Sequence, residues 1–181
     1  MVEFEKFVFA APPCTGSRWF VNRCNALGVP VLNWRYPKVQ ANKECEKFVL
    51  SIIRHPYYWL LAFFEECKCK LTGVREIDIF NDDYRGCRGD FQEFCKVYLQ
   101  RHPGRISEMF SSYRAASVMR HEDMPWCAEE FLMSLGVPYS NGQLPKTDFQ
   151  SRVLTGWSTN KELRKAVIRA ERDFCEAYGY Y

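Results

Sequence analysis

The sequence predicts an α/β fold, a three-layer sandwich whose mostly parallel central sheet is flanked by helices. Three observations lead there. Residues 4–11 are apolar with little alternation, the pattern of a strand buried on both faces, as parallel strands are. Strand-like runs recur at 29–32, 47–53 and 116–119, separated by segments of helical character. Gly and Pro mark the switches, with Gly28 and Gly136 behind helices and Pro56 and Pro125 in front of them. Strands alternating with helices imply crossover connections, and crossovers imply parallel pairing.

In chain order, 17–27 reads as a helix with Phe20, Cys24 and Leu27 on one face, stopped by Gly28. A short strand at 29–32 comes next, then one at 47–53 that ends at Arg54. Pro56 opens a helix that continues through the bulky aromatic stretch 57–67, where Tyr58, Trp59, Phe63 and Phe64 read as core. Residues 72–90, rich in Asp, Gly, Arg and Asn, read as a loop. Helices are expected at 91–100 and 106–116, a strand at 116–119, a helix at 125–135, a polar loop at 138–158 and one last helix over 161–178. No repeat, low-complexity tract or linker interrupts the 181 residues, so a single domain over 1–181 is expected.

Composition narrows the class. Hydrophobic residues make up 47% and aromatics 16%, enough for a folded core. A net charge of +3 makes no argument for nucleic acid and suits an anionic small ligand. No apolar run reaches ~18 residues, so no membrane span is expected. The start Met-Val-Glu-Phe-Glu-Lys has no basic, then apolar, leader pattern. The nine scattered cysteines therefore read as reduced thiols in the cytoplasm. Cys67-Lys68-Cys69 lacks a second pair at zinc-finger spacing, so no metal is expected.

The stretch 7–27 is the most informative. An apolar strand enters a tight loop, Pro12-Pro13-Cys14-Thr15-Gly16-Ser17, that opens directly into a helix. Free N–H groups of a first helical turn, aligned with the helix dipole, form a phosphate cradle. Thr15 and Ser17 offer hydroxyls. Arg18 offers a cation if it turns inward, and a solvent-facing residue of the first turn if it does not. The Walker A spacing is absent. Arg54 ends a buried strand at the carboxyl edge of the sheet, where open α/β folds bind ligands. Its alternatives are an anion contact or an ion pair with Glu122 or Asp123. His55 suits a helix cap better than a catalytic base, and Glu122 and Asp123 suit capping of the helix after Pro125. Glu44 and Glu46 are acceptor-side bases by position only and fit a solvated face. Cys14 beside Arg18 could be a nucleophile, but a cysteine-phosphatase loop places its Arg six residues after the Cys, and Phe20 stands there.

Four segments, in order, resemble the sulfotransferases that use 3′-phosphoadenosine-5′-phosphosulfate (PAPS). Pro13-Cys14-Thr15-Gly16-Ser17-Arg18-Trp19-Phe20 is similar to that family's 5′-phosphosulfate loop. The run from Phe48 through Arg54-His55-Pro56 to Phe64 resembles its 3′-phosphate strand and helix. Val118-Met119-Arg120-His121-Glu122-Asp123-Met124 resembles its Tyr-Glu-Asp-Leu stretch, and Leu135-Gly136-Val137-Pro138 resembles the Leu-Gly-Val/Leu-Pro run found beyond that stretch. Ala177-Tyr178-Gly179-Tyr180 resembles a common family ending. Arg152 and Trp157 are a fainter match to its C-terminal nucleotide loop.

The resemblance implies a P-loop-like fold and transfer of a sulfuryl group from PAPS to a hydroxyl or amine, without metal, leaving adenosine 3′,5′-bisphosphate. It places Pro13 to Trp19 at the 5′-phosphosulfate and Arg54 at the 3′-phosphate, with Arg152 a further nucleotide contact. Arg18 would be the catalytic cation in place of the family Lys or Arg, since Cys14 occupies that position. Ala62 stands where the family has Ser. Those two departures open a second reading, a catalytically impaired nucleotide-binding or protein-interaction module. A nucleotide kinase would need a Walker Lys and a metal-holding Asp, and neither is present at the usual places. The acceptor, whether glycan, small molecule or peptide, is not encoded in any motif.

Overall fold

The computed structural model describes residues 1–34, 47–69, 87, 90–137 and 160–181. The strands are β1 (Val2–Glu3), β2 (Phe7–Ala10), β3 (Asn33–Trp34), β4 (Phe48–Ile53) and β5 (Ser117–Arg120). The helices are α1 (Ser17–Ala26), α2 (Pro56–Cys69), α3 (Phe91–Arg101), α4 (Arg105–Ser112), α5 (Trp126–Ser134), α6 (Lys161–Ala170) and α7 (Arg172–Tyr178). The chain divides into two compact units. One is built from Met1–Arg54 and the segment beginning at Phe110, the other from His55–Met109 and the segment ending at Tyr181.

In the first unit the strands form one sheet in the order β3-β1-β2-β4-β5. The longer strands β2, β4 and β5 pair in parallel, Phe9 opposite Leu50 and Ile53 opposite Arg120. The α/β class and the mostly parallel sheet are thus as expected. One face of the sheet, Phe7, Phe9, Leu50, Ile52 and Met119, packs with Phe20, Val21 and Cys24 of α1 and Ala128 and Leu132 of α5. Phe9 and Phe20 lie 4.7 Å apart, ring to ring, and Phe7 meets Phe131 edge-on at 5.1 Å. Val8, Ala10, Val49, Ser51 and Ile53, on the other face, are buried as well. Burial on both sides is why these strands carry no polar alternation.

The sheet edge differs from expectation. Residues 29–32 are not a strand; the pairing segment is Asn33–Trp34, and it runs antiparallel to β1. Pro30 brings no N–H to a ladder, and the chain joins the edge only where Leu32 N–H reaches Glu3 O at 2.8 Å. β1 is itself set off from β2 by a tight reversal closed by Phe4 N–H on Phe7 O.

Gly28 and Gly136 do stop their helices. Both hold a positive φ, 76 and 78. In each case the next N–H bonds back five residues, Val29 to Cys24 and Val137 to Leu132. The helix expected over 106–116 ends earlier, at Ser112. The N–H groups of Tyr113 and Arg114 turn back to Phe110 and Ser111, and Ala116 N–H is then taken by Val49 O at the start of the β4–β5 ladder.

In the second unit α2, α3 and α6 pack on an aromatic core. Trp59 stacks on Phe63 at 5.5 Å and Phe64 meets Phe91 edge-on at 5.4 Å. Trp59, Phe63 and Phe64 are core side chains, as their spacing indicates. The single helix expected over 161–178 is broken at Glu171, which lies between α6 and α7 with φ −110. Its carboxylate is buried and faces inward, accepting from the Tyr98 hydroxyl and from Ser107 through both N–H and hydroxyl. A residue whose side chain must turn into the core at that point interrupts the solvent-facing helical period.

Asp90 caps α3, its Oδ1 accepting from Gln92 N–H at 2.8 Å and Glu93 N–H at 3.2 Å. Asp90→Ala is expected to lower unfolding free energy by about 1 kcal/mol, measured by urea titration. Among the described residues no helix is long and apolar enough to cross a membrane. Cys14, Cys24, Cys87, Cys95, Cys127 and Cys175 are not joined in disulfides. Burial pushes Cys24 up to about 12 and Cys175 up to about 11.

Candidate functional site

Beyond Ala10 the chain leaves the ladder through Pro12 and Pro13, which have no N–H to continue it. The loop then closes on itself. Thr15 is fully buried, and its hydroxyl and that of Ser17 each lie 2.8 Å from Pro12 O and from one another. Two hydroxyl protons among three oxygens lock the loop. Thr15 and Ser17 therefore shape the loop here, with their protons directed within it. Cys14 and Gly16 both take the left-handed conformation, φ 60 and φ 81. At Cys14 that costs about 1 kcal/mol and needs support from its surroundings. Arg54 supplies it, Nη1 donating to Cys14 O at 3.0 Å.

The consequence is a row of donors. Gly16 is the N-cap of α1 and no side chain caps that helix. The N–H groups of Thr15, Gly16, Ser17 and Arg18 meet no acceptor among the described residues. Main-chain donors at a helix N-terminus, with the dipole behind them, bind oxyanions. The Arg18 side chain is exposed and Trp19 half-buried, so of the two orientations weighed for Arg18 the structure has the solvent-facing one.

Arg54 is buried at the carboxyl end of β4. The register that sets Ile53 opposite Arg120 brings the next residues, Arg54 and His121, to the same edge. His121 is held neutral, its pKa lowered from 6.5 to about 3, by burial first and by the charge of Arg54 second. No sequence motif marks His121 as a site residue. The usable signal was that both strand-end residues come directly after paired parallel strands, but pairing had to be known first.

Other expectations resolve individually. His55 is a cap: its Nδ1 accepts from Tyr57 N–H at 3.1 Å in the first turn of α2. The capping expected of Glu122 and Asp123 is corrected. The N-cap of α5 is Pro125 with no side-chain bond, His121–Asp123 form a 3-10 turn, and Asp123 pairs with Arg120 at 3.5 Å. Tyr58 is half-buried under the Arg164 guanidinium, 5.4 Å from its ring centre. Glu44, Glu46, Arg152 and Trp157 lie outside the described residues, as do the side chains of Cys67 and Cys69. Among the described residues no three His, Cys, Asp or Glu side chains stand ready to share a metal ion.

Neither protein-family models, nor curated proteins, nor solved structures give a match to the chain.

Proposed function

We propose that the chain is a PAPS-dependent sulfotransferase, acting on a hydroxyl or amine of a glycan, small molecule or peptide. The observation that carries this reading is the run of N–H groups from Thr15 to Arg18 that meet no acceptor among the described residues, beside Arg54 at the carboxyl edge of a parallel sheet. The sequence resemblance supplies the nucleotide. In this reading the loop amides hold the 5′-phosphosulfate and Arg54 holds the 3′-phosphate. The sulfur–oxygen bond to the leaving phosphate breaks as the bond to the acceptor forms, and the acceptor's proton passes to solvent. The protein's work is alignment and stabilisation of charge on the leaving phosphate.

A second reading is favoured by one residue. Cys14 occupies the place of the family cation, and exposed Arg18 is the nearest replacement in sequence. Without a cation there the fold would bind nucleotide and turn it over poorly.

Calorimetric titration with adenosine 3′,5′-bisphosphate is expected to give micromolar binding, and labelled PAPS to yield label transfer in an acceptor screen. Absence of binding at millimolar nucleotide would overturn the proposal. Cys14→Lys is expected to raise turnover about tenfold or more, the scale of one restored charge contact to the leaving group. Binding without transfer in the wild type, with transfer appearing in Cys14→Lys, selects the second reading.

A further inference from the structure

We infer that His121 is a second ligand of the anion held by Arg54, and that it engages that anion as an imidazolium formed on binding. This rests on the nucleotide site proposed above and adds to it a residue and a proton.

The geometry comes from the sheet. β4 and β5 run in parallel with Ile53 and Arg120 in register, so Arg54 and His121 leave their strands at the same level and on the same edge. Arg54 is tethered to the phosphate-loop candidate through Cys14 O, which fixes the loop, the guanidinium and the imidazole as one constellation within a single compact unit. Among the described residues, Arg54 just beyond β4 bears on His121 by its charge, Arg120, Glu122 and Asp123 flank it in its own segment, and Cys127 of α5 donates to the neighbouring Arg120 O. Asp123 is drawn to Arg120. The charge that bears on His121 is that of Arg54, and it acts with burial to keep the ring neutral down to about pH 3.

An anion at Arg54 reverses both effects. It offsets the guanidinium charge and sets an opposite charge beside the half-buried imidazole. The ring then takes one proton from solvent and becomes a charge-assisted donor. Binding is thus coupled to proton uptake and strengthens as pH falls below the bound-state pKa of His121, toward the free-state value of about 3. The phosphate monoester of the ligand titrates near about pH 6 in the opposite sense, equally in any variant.

The test is calorimetry of adenosine 3′,5′-bisphosphate binding at pH 6 and pH 8, in buffers of different ionisation enthalpy, for the wild type and His121→Gln. Wild-type protein is expected to take up about one proton more than the variant at pH 6. The variant is expected to bind about tenfold more weakly at pH 6 and nearly as well as wild type at pH 8. Proton NMR of the wild type reads the same event directly. The chain has three histidines, and one C2–H resonance should move to its imidazolium position on adding nucleotide at pH 6. Equal proton uptake and affinity in the two proteins, or three unmoved histidine resonances with nucleotide bound, would overturn the assignment and leave the nucleotide site standing. No binding by wild type at millimolar nucleotide would overturn both.

Discussion

Arg54→Ala is expected to weaken adenosine 3′,5′-bisphosphate binding by about 100-fold or more. A guanidinium to phosphate contact contributes about 1.5–3 kcal/mol per charge-assisted bond, and Arg presents two such bonds in one plane. The truncation also acts on the loop. Cys14 O loses its donor at 3.0 Å, and the left-handed Cys14 loses the contact that holds it. The four loop amides would then be less well aimed even at the other end of the nucleotide. Arg54→Lys separates these effects: it keeps the charge but not the planar fork, and about a tenfold loss is expected. Removing the guanidinium should in addition raise the His121 pKa, since one of the two causes of its depression is gone. Calorimetry gives the affinities and NMR the histidine titration. If Arg54→Ala binds within about threefold of wild type, near the scatter expected of a surface change, the anion does not sit at this edge.

Legibility in the sequence depends, part by part, on how local the cause of each feature is. β2 and β4 were legible because burial on both faces leaves a continuous apolar run, a property of the strand itself. The same holds for Gly28 and Gly136, where the backbone demands a residue tolerant of positive φ, and for His55, whose bond to Tyr57 N–H spans two residues. The phosphate-loop candidate was visible as strand, loop and helix. What its hydroxyls do was not, because Thr15 and Ser17 choose between a ligand and Pro12 O only once the loop has folded. β1 and β3 are two residues each, too short for any period to register. The placing of Arg54 and His121 at one sheet edge needs the register of strands far apart in sequence, and the break at Glu171 needs its partners Tyr98 and Ser107. Local pattern encodes elements; long-range pairing decides which of their ends meet.

Glu171→Ala is expected to be strongly destabilising, lowering unfolding free energy by about 3–5 kcal/mol. The residue is 1% exposed, and its carboxylate hydrogen bonds among the described residues all cross between elements. Tyr98 of α3 donates its hydroxyl to one carboxylate oxygen, while Ser107 in the first turn of α4 donates N–H at 2.8 Å and hydroxyl to the other. The carboxylate thus serves as the anion at the N-terminus of α4, a favourable place for it. Burial and the nearby carboxylate push the Tyr98 phenol far above its ordinary value, so it stays a donor across any working pH. Alanine leaves buried donors without their acceptor, at about 1–3 kcal/mol each. Glu171→Gln keeps one acceptor oxygen but turns an amide N–H₂ toward donors, so a loss of about 2 kcal/mol is expected, between alanine and wild type. Tyr98→Phe combined with Glu171→Ala should cost less than the two changes added, because they remove the same bond. Chemical denaturation of the wild type and these variants measures this. A Glu171→Ala loss below about 1 kcal/mol, the range of an ordinary exposed substitution, would mean that water replaces the carboxylate and that the break between α6 and α7 has another cause.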